Sequence, residues 1–177
     1  ELHGLAFYNS GETAGASQPH KHLQHVPFPL GASTDSTPVT PLMSRLEGEG
    51  RVQTVPALPF RHGAARVAHL WKQEPVDAAE ATRRLYQEME ALVGSASRMG
   101  PYNLLLTEEW MLLVPRRLER YESISVNALG FAGSLLVRDE RELDQVREVG
   151  PMEILRHVAF PGDTTSKGPR PFGGDHA

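Results

Sequence analysis

The stretch Pro19-His20-Lys21-His22-Leu23-Gln24 carries two imidazoles and a carboxamide at every second position. In an extended strand, alternate side chains point to the same face. The spacing therefore predicts that His20, His22 and Gln24 share one face of a strand. A neutral imidazole on a rigid strand is a competent nucleophile toward phosphorus, and an amide two residues away can donate hydrogen bonds to phosphoryl oxygens. The stretch thus predicts covalent catalysis at phosphorus. The opposite face is predicted to carry Lys21, Leu23 and His25.

The residues before this stretch are predicted to form a phosphate-binding loop. The apolar run Leu5-Ala6-Phe7-Tyr8 is typical of a strand, and residues 9–18 that follow it are mostly small or polar. Small residues let backbone N–H groups approach an anion closely. Pro19 fixes its own φ and biases the residue before it toward an extended conformation. The predicted phosphate contacts are Asn9, Gly15, Ala16, Ser17, Gln18 and Gln24.

Two other interpretations of the histidines stay open at this point. A histidine is more often structural than catalytic, and histidines two residues apart can equally be metal ligands. A metal site built on His20, His22 and His25 is disfavoured, because His25 is predicted to point away from the other two. No metal and no cofactor is required for the histidine chemistry. A divalent cation could assist by neutralising polyphosphate charge, although no paired carboxylate lies near the stretch to hold one.

The pattern resembles the transferase branch of the histidine-triad superfamily, and residues 15–24 are similar to the ATP adenylyltransferases, also called diadenosine tetraphosphate phosphorylases. Galactose-1-phosphate uridylyltransferases share a sparser pattern, but they usually carry Pro where this sequence has Lys21. Residues 102–107, 110–116 and 127–133 also resemble the adenylyltransferases, and the resemblance thins after Phe160. The residues that carry the resemblance in the first stretch are Asn9, Gly15, Ser17, Pro19, His20, His22 and Gln24.

The resemblance implies an α+β, histidine-triad-like fold with a mainly antiparallel sheet and helices packed on it. It implies a nucleotidyltransferase in which His22 attacks the α-phosphorus of diadenosine tetraphosphate, releases ATP and carries AMP until inorganic phosphate removes it as ADP. Gln24 and Ser17 would hold the phosphoryl oxygens, and His20 would orient its neighbour. The alternatives are a uridylyltransferase acting on sugar phosphates, or a nucleotide- or metal-binding module without catalysis. The resemblance implies further substrate contacts for Asn127, Ala128, Leu129, Ser134 and Arg138.

Composition places the chain in the ordinary globular class. With 177 residues, of which 40% are hydrophobic and 23% charged, it can bury roughly 70% of its unfolded surface. The net charge of -4 gives no general attraction to nucleic acid or to an anionic membrane, so phosphate binding must be local. The sequence has no cysteine, no signal peptide and no long apolar span, which predicts a cytoplasmic location without disulfides.

The sequence begins at Glu1, almost directly before the first predicted strand. The family resemblance places strands and a phosphate-contacting lysine earlier than this point. We therefore expect an open sheet edge, and weak or no activity until a complementary N-terminal segment or chain is supplied. We also expect one domain over residues 1–160 and a flexible tail over residues 161–177, where apolar residues do not recur at the spacing of a helix or a strand.

The clearest predicted helix covers residues 77–93, with Asp77 as its N-cap and Leu85, Met89 and Leu92 among its buried residues. Arg116 leaves two interpretations open, a fork that binds polyphosphate or a solvated basic strand end. The other predicted elements are a short helix over 41–47, strands over 52–58 and 64–70, a buried hairpin over 104–114, a tight turn over 127–134 and helices over 140–149 and 151–158.

Overall fold

Residues 3–30, 36–94 and 100–162 are described by a computed structural model. The strands are β1 (Gly4–Asn9), β2 (Gln24–Pro27), β3 (Gly63–Arg66), β4 (Tyr102–Leu106), β5 (Trp110–Pro115), β6 (Arg120–Tyr121) and β7 (Ile124–Ser125). The helices are α1 (Thr40–Met43), α2 (Pro75–Val93), α3 (Ala128–Ala132), α4 (Glu140–Val149) and α5 (Pro151–Val158), with 3-10 helices at Glu12–Ala14 and Ala68–Lys72.

A five-stranded sheet in the order β2-β1-β4-β5-β3 forms the centre of the molecule. Every neighbouring pair in it is antiparallel, and β6 and β7 form a separate short hairpin. The predicted buried hairpin is confirmed as β4 and β5, with Leu105 opposite Leu112. All six residues of β5 are buried, as its continuous apolar run predicts. The α+β class with a mainly antiparallel sheet is confirmed.

The two faces of the sheet are covered by different layers. On one face, Leu105, Leu112 and their neighbours pack with residues of α1, α3 and α5. On the other face, Met111 and Leu113 pack against α2. A Cβ added to Gly63 would lie 3.1 Å from the Met89 side chain, so the glycine in β3 lets α2 approach the sheet closely. None of the described helices is long and apolar enough to cross a membrane.

The helix predicted over residues 77–93 is confirmed, but its start and its buried face differ from the prediction. It begins at Pro75, and the residue before it makes no side-chain capping bond, so the prediction that Asp77 is the N-cap is wrong. Proline at the first helical position supplies a fixed φ where its missing N–H costs nothing. Leu85 and Met89 are buried as predicted, whereas Leu92 is 49% exposed. The sheet contacts a narrower stripe of the helix than the apolar pattern suggested.

Two strand predictions and one helix prediction are wrong in extent. Residues 52–58 form no strand, and only Gln53 makes an isolated bridge, to Ala64. The prolines in and after that segment cannot donate to a ladder. The strand predicted over 64–70 ends at Arg66, after which the chain turns into a 3-10 helix. The helix predicted over 41–47 is the four-residue α1, which ends at Met43.

The segment over residues 127–134 is a buried helix, so the prediction of a tight turn there is wrong. The Asn127 side chain accepts a hydrogen bond from the Leu129 N–H and so caps α3, and Gly133, at φ 100°, ends it. A Cβ on Gly130 would lie 2.9 Å from the Val126 side chain, so the small residues serve close packing of the helix. The two predicted terminal helices are confirmed as α4 and α5.

The C-terminal prediction falls largely outside the described residues. Phe60 and Pro161 form an isolated bridge, which fixes the chain just after α5. The flexible tail predicted over 161–177 lies outside the described residues from position 163 onward, and it stays a prediction.

Arg116 is buried at the end of β5, with 1% of its surface exposed. Its guanidinium donates to the Asn103 side-chain oxygen at 2.6 Å and to the carbonyls of Leu118 and Val126 at 2.7 and 2.8 Å. Both sequence-based interpretations of this residue are therefore wrong, because its donors serve neither a ligand nor the solvent. Longer bonds reach the carbonyls of Glu119, Ala14 and Val158.

Burial lowers the pKa of Arg116 to about 10. The guanidinium nevertheless stays protonated at neutral pH, because that pKa is still well above 7. The molecule therefore holds a buried cation that is surrounded by carbonyl oxygens.

The contrast between Leu85 and Leu92 on α2 gives a matched test of the packing. We expect Leu85→Ala to lower the free energy of unfolding by about 2–5 kcal/mol, because it leaves a cavity under the helix. The same substitution at Leu92 should cost less than about 1 kcal/mol, because that side chain is half exposed. Urea unfolding of the two variants measures the difference. Equal losses would contradict the placement of α2.

His62 makes the stability of the fold sensitive to pH. Its Nε2 accepts from the Val55 N–H at 2.7 Å, and its Nδ1 donates to the Phe60 carbonyl at 2.7 Å. Burial holds the pKa of this imidazole below its ordinary value of 6.5. The unfolded chain then binds more protons than the folded one below pH 6.5, so the free energy of unfolding should fall as pH drops from 6.5 through the lowered pKa. In His62→Gln this pH dependence should shrink, and an unchanged dependence would contradict the assignment.

The adjacent residues Arg116 and Arg117 give a second matched pair. Arg116→Met would leave several buried carbonyls without a donor, and we expect it to lower the free energy of unfolding by about 3 kcal/mol or more. Arg117 is exposed and donates to the His157 carbonyl, so Arg117→Met should cost about 1 kcal/mol or less. Denaturant unfolding followed by circular dichroism measures both. Equal stability of the two variants would show that the buried guanidinium does not organise the fold.

Candidate active site

The histidine stretch enters the sheet later than predicted. The ladder with β1 begins at Gln24, opposite Phe7, so the predicted strand over residues 19–24 is wrong before that point. The register would place His22 opposite Asn9, the last residue of β1, and Gly11, at φ 86°, then turns the chain away. No β1 residue is therefore left to pair with the start of the stretch.

The predicted alternation of faces nevertheless extends beyond the ladder. His22 and Gln24 are half-buried, whereas Leu23 and His25 are exposed, so the alternation holds from His22 onward. His20 is also exposed, so it does not follow the alternation. The structure thus puts the candidate nucleophile and the candidate phosphoryl-binding amide on the same side of the chain.

The His22 ring is held by the backbone of His20. Its Nδ1 lies 3.1 Å from the His20 carbonyl oxygen, and the two ring centroids are 5.3 Å apart. A carbonyl can only accept, so Nδ1 must carry the proton in this contact. In the neutral ring, Nε2 then keeps its lone pair. This is the tautomer that nucleophilic attack by Nε2 requires.

A cleft of about 630 Å³ lies beside the histidine stretch. It is lined by residues 8–12, at the end of β1, and by residues 16–21, which lead into the stretch. The predicted site residues that line it are Asn9, Ala16, Ser17, Gln18 and His20. Gly15, His22 and Gln24 are not part of its lining.

Gly15 brings the loop against the start of α3. It has φ 80°, and a Cβ placed on it would lie 2.7 Å from the Val126 carbonyl oxygen and 2.9 Å from Asn127. Any larger residue would therefore push the loop away from the helix. The predicted loop contact Gly15 and the predicted helix contact Asn127 are thus neighbours in space.

Asn9 and Ala128 are joined by a buried polar network. The Asn9 side-chain oxygen accepts from the Asn103 amide at 2.7 Å and from the Ala128 N–H at 2.9 Å. The Asn103 amide also donates to the Ala14 carbonyl at 2.8 Å. The oxygen of Asn9 is therefore occupied, and its amide N–H groups are the donors that it can offer to a ligand.

Of the remaining predicted contacts, Asn127, Ser134 and Arg138 line a second, smaller cavity of about 260 Å³, whereas Ala128 and Leu129 are not part of its lining. The Arg138 guanidinium lies 2.6 Å from a Glu142 carboxylate oxygen and also donates to the Ser123 carbonyl. Hydrogen bonds from Arg138 lower the pKa of Glu142 to about 2, so the carboxylate stays ionised at neutral pH. A phosphate at Arg138 would have to compete with this pair. The substrate contacts predicted in this region all stay predictions: Asn127, Ala128, Leu129, Ser134 and Arg138.

Asn103 and Arg116 connect the loop, the sheet and α3, and sequence reasoning missed both roles. The available signal was a polar residue at the edge of each of two apolar runs, Asn103 at the second position of β4 and Arg116 just after β5. Among the residues that the structure describes, no cluster of three or more His, Asp or Glu could hold a metal ion. No observation therefore favours the alternative of a metal site on His20, His22 and His25.

Two segments of the chain match known protein families. Residues 56–161 match the family model of the ATP adenylyltransferase C-terminal domain, and residues 1–45 match that of the Ap4A phosphorylase N-terminal domain. The chain is 26% identical over 183 residues to Protein APA1 of Saccharomyces cerevisiae, covering 92% of this chain and 54% of that protein. It is 26% identical over 162 residues to diadenosine 5',5'''-P1,P4-tetraphosphate phosphorylase 2 of the same yeast, covering 81% and 48%.

Solved structures show the same fold. The crystal structure of yeast Ap4A phosphorylase Apa2 in complex with AMP matches with a TM-score of 0.74 at 24% identity, covering 93% of this chain and 58% of that one. The structure of Apa2 in complex with Ap4A matches with a TM-score of 0.69 at 25% identity, covering 89% and 55%. The chain spans about half the length of the curated relatives that it matches. Because one family model covers more than half of its residues, the chain belongs to the ATP adenylyltransferase family, in the C-terminal domain that this model describes.

Proposed function

We propose that this chain carries out nucleotidyl transfer, the phosphorolysis of diadenosine tetraphosphate to ATP and ADP, through an AMP adduct on His22. The observation that carries the proposal is the hydrogen bond from His22 Nδ1 to the His20 carbonyl, which leaves Nε2 with a free lone pair. Family membership and the names of the yeast relatives support the choice of substrate. The reversible reaction would make the chain an ATP adenylyltransferase.

The first step forms the adduct. His22 Nε2 attacks the α-phosphorus, the bond from phosphorus to the bridging oxygen breaks, and ATP leaves with that oxygen. The ring becomes positively charged as the new N–P bond forms, and the His20 carbonyl on Nδ1–H stabilises that charge. Amide N–H groups of Gln24 and of the 9–18 loop would bind the phosphoryl oxygens, where one well-aimed donor contributes about 3 kcal/mol.

The second step releases AMP as ADP. An oxygen of inorganic phosphate attacks the phosphorus of the adduct, the N–P bond breaks, and His22 returns to its neutral state with the proton on Nδ1. Gln24 carries no titrating proton at neutral pH, so it cannot activate a water as an acid–base residue would. This favours transfer to an acceptor that is already anionic over hydrolysis.

The adduct is the decisive test. Incubating the chain with diadenosine tetraphosphate without phosphate should give an acid-labile AMP adduct on His22, detected by mass spectrometry, and added phosphate should remove it as ADP. In His22→Gln the adduct should vanish and turnover should fall by about a thousand-fold or more, because the nucleophile is lost. His25→Gln is the matched control, since His25 is exposed on the other face of β2, and it should keep the turnover of the parent chain.

Three results would contradict the proposal. Undiminished turnover by His22→Gln would exclude His22 as the nucleophile. AMP release that does not depend on phosphate would indicate hydrolysis. Turnover of a UDP-sugar with hexose phosphate in place of diadenosine tetraphosphate would favour the uridylyltransferase alternative.

A further inference from the structure

Lys21 lies in the wall of the cleft, although sequence alternation assigned it to the face opposite His20. The ladder begins only at Gln24, so strand geometry does not hold the chain at residues 20 and 21. Both of these residues line the cleft, together with the loop residues Ser17 and Gln18. Lys21 therefore joins the loop that was predicted to bind phosphate.

Among the described residues that line this cleft, Lys21 is the one lysine or arginine and Glu12 is the one carboxylate. Two other cations near the predicted substrate contacts have partners already. Arg116 is buried among carbonyls, and Arg138 is paired with Glu142. Within the described ranges, no ion pair involves Lys21. Its ammonium is therefore free to meet an anion.

The lining of the cleft indicates which part of a substrate would occupy it. The phosphoryl group under attack must touch His22, and Gln24 lies on the same side of the chain, yet neither residue lines the cleft. The cleft begins at the preceding residues, His20 and Lys21, and its lining also includes residues of the 9–18 loop that would bind the transferred group, such as Ser17, so the cleft adjoins that group. Phosphates beyond the attacked one would extend away from His22 and into this space.

We propose that Lys21 binds the phosphates that leave with ATP, and that the cleft is the leaving-group subsite. This inference rests on the proposed function of His22. Negative charge grows on the leaving oxygen and its chain of phosphates as the P–O bond breaks, and a nearby ammonium stabilises that charge. Inorganic phosphate attacks from the side that ATP has left, so the same ammonium receives the second substrate.

Binding of two nucleotides tests the assignment. ATP carries the leaving phosphates, whereas AMP carries only the group that is transferred. In Lys21→Met we expect ATP to bind about ten-fold or more weakly, because a charge-assisted hydrogen bond is lost, while AMP affinity changes less than about two-fold. The Michaelis constant of Lys21→Met for inorganic phosphate should also rise, because the same ammonium would bind both ATP and inorganic phosphate. Isothermal titration calorimetry and initial rates measure these quantities.

Two control variants sharpen the test. Lys21→Arg keeps the charge and should hold ATP affinity within about three-fold of the parent chain. Lys72→Met removes an exposed lysine at the end of a 3-10 helix, outside the cleft lining, and should change neither affinity. Circular dichroism of each variant shows whether it is folded.

The failures of the two proposals can be told apart. Equal loss of AMP and ATP affinity in Lys21→Met would place the ammonium on the transferred group and overturn the subsite. Unchanged ATP affinity and an unchanged Michaelis constant for phosphate would also overturn it, while an AMP adduct on His22 would leave the proposed function standing. A parent chain that forms no adduct would overturn the proposed function instead.

Discussion

A buried guanidinium holds this fold together around its candidate site. Within the part of the chain that the structure describes, Arg116 makes its hydrogen bonds to carbonyls and to one amide oxygen, and no carboxylate takes part in them. Removing a cation from water is costly unless its donors are satisfied. Here the donors are satisfied by segments far apart in the sequence, at Ala14, Asn103, Val126 and Val158. The charge can be buried only when these segments are together, so it couples the loop, the sheet and the C-terminal helices.

The position of the loop follows from this coupling. Arg116 donates to the side-chain oxygen of Asn103. The Asn103 amide donates to the Asn9 side-chain oxygen and to the Ala14 carbonyl. The Asn9 oxygen also accepts from the Ala128 N–H. Every link is a short polar contact between groups of low exposure. A site that must present backbone donors to a phosphate gains from such fixed geometry, because the donors need not reorganise during the reaction.

The sequence was sufficient where one local signal dominated. Apolar runs identified β4 and β5, and helical periodicity with proline and glycine boundaries identified α2, α4 and α5. It failed where tertiary contacts decide the outcome. Small residues suggested a turn over 127–134, yet they serve close packing of a capped helix. Arg116 at a strand end looked like a solvent or ligand group, because only the folded chain brings carbonyls around it. The alternation of His20, Lys21 and His22 assumed a ladder whose partner strand ends too early.

Because β1 ends at Asn9, the residues of the histidine stretch have different surroundings. His22 follows the alternation of faces and so lies on the same side of the chain as Gln24. The two residues before it, His20 and Lys21, line the cleft. The His22 ring is then oriented by a carbonyl, which is neutral. A carboxylate in that place would hold the same tautomer, but it would add negative charge next to the polyphosphate substrate that we propose, and the two negative charges would repel each other. A backbone carbonyl orients the proposed nucleophile without that repulsion. The geometry therefore suits attack on a polyanion by a neutral imidazole better than acid–base chemistry on an uncharged substrate.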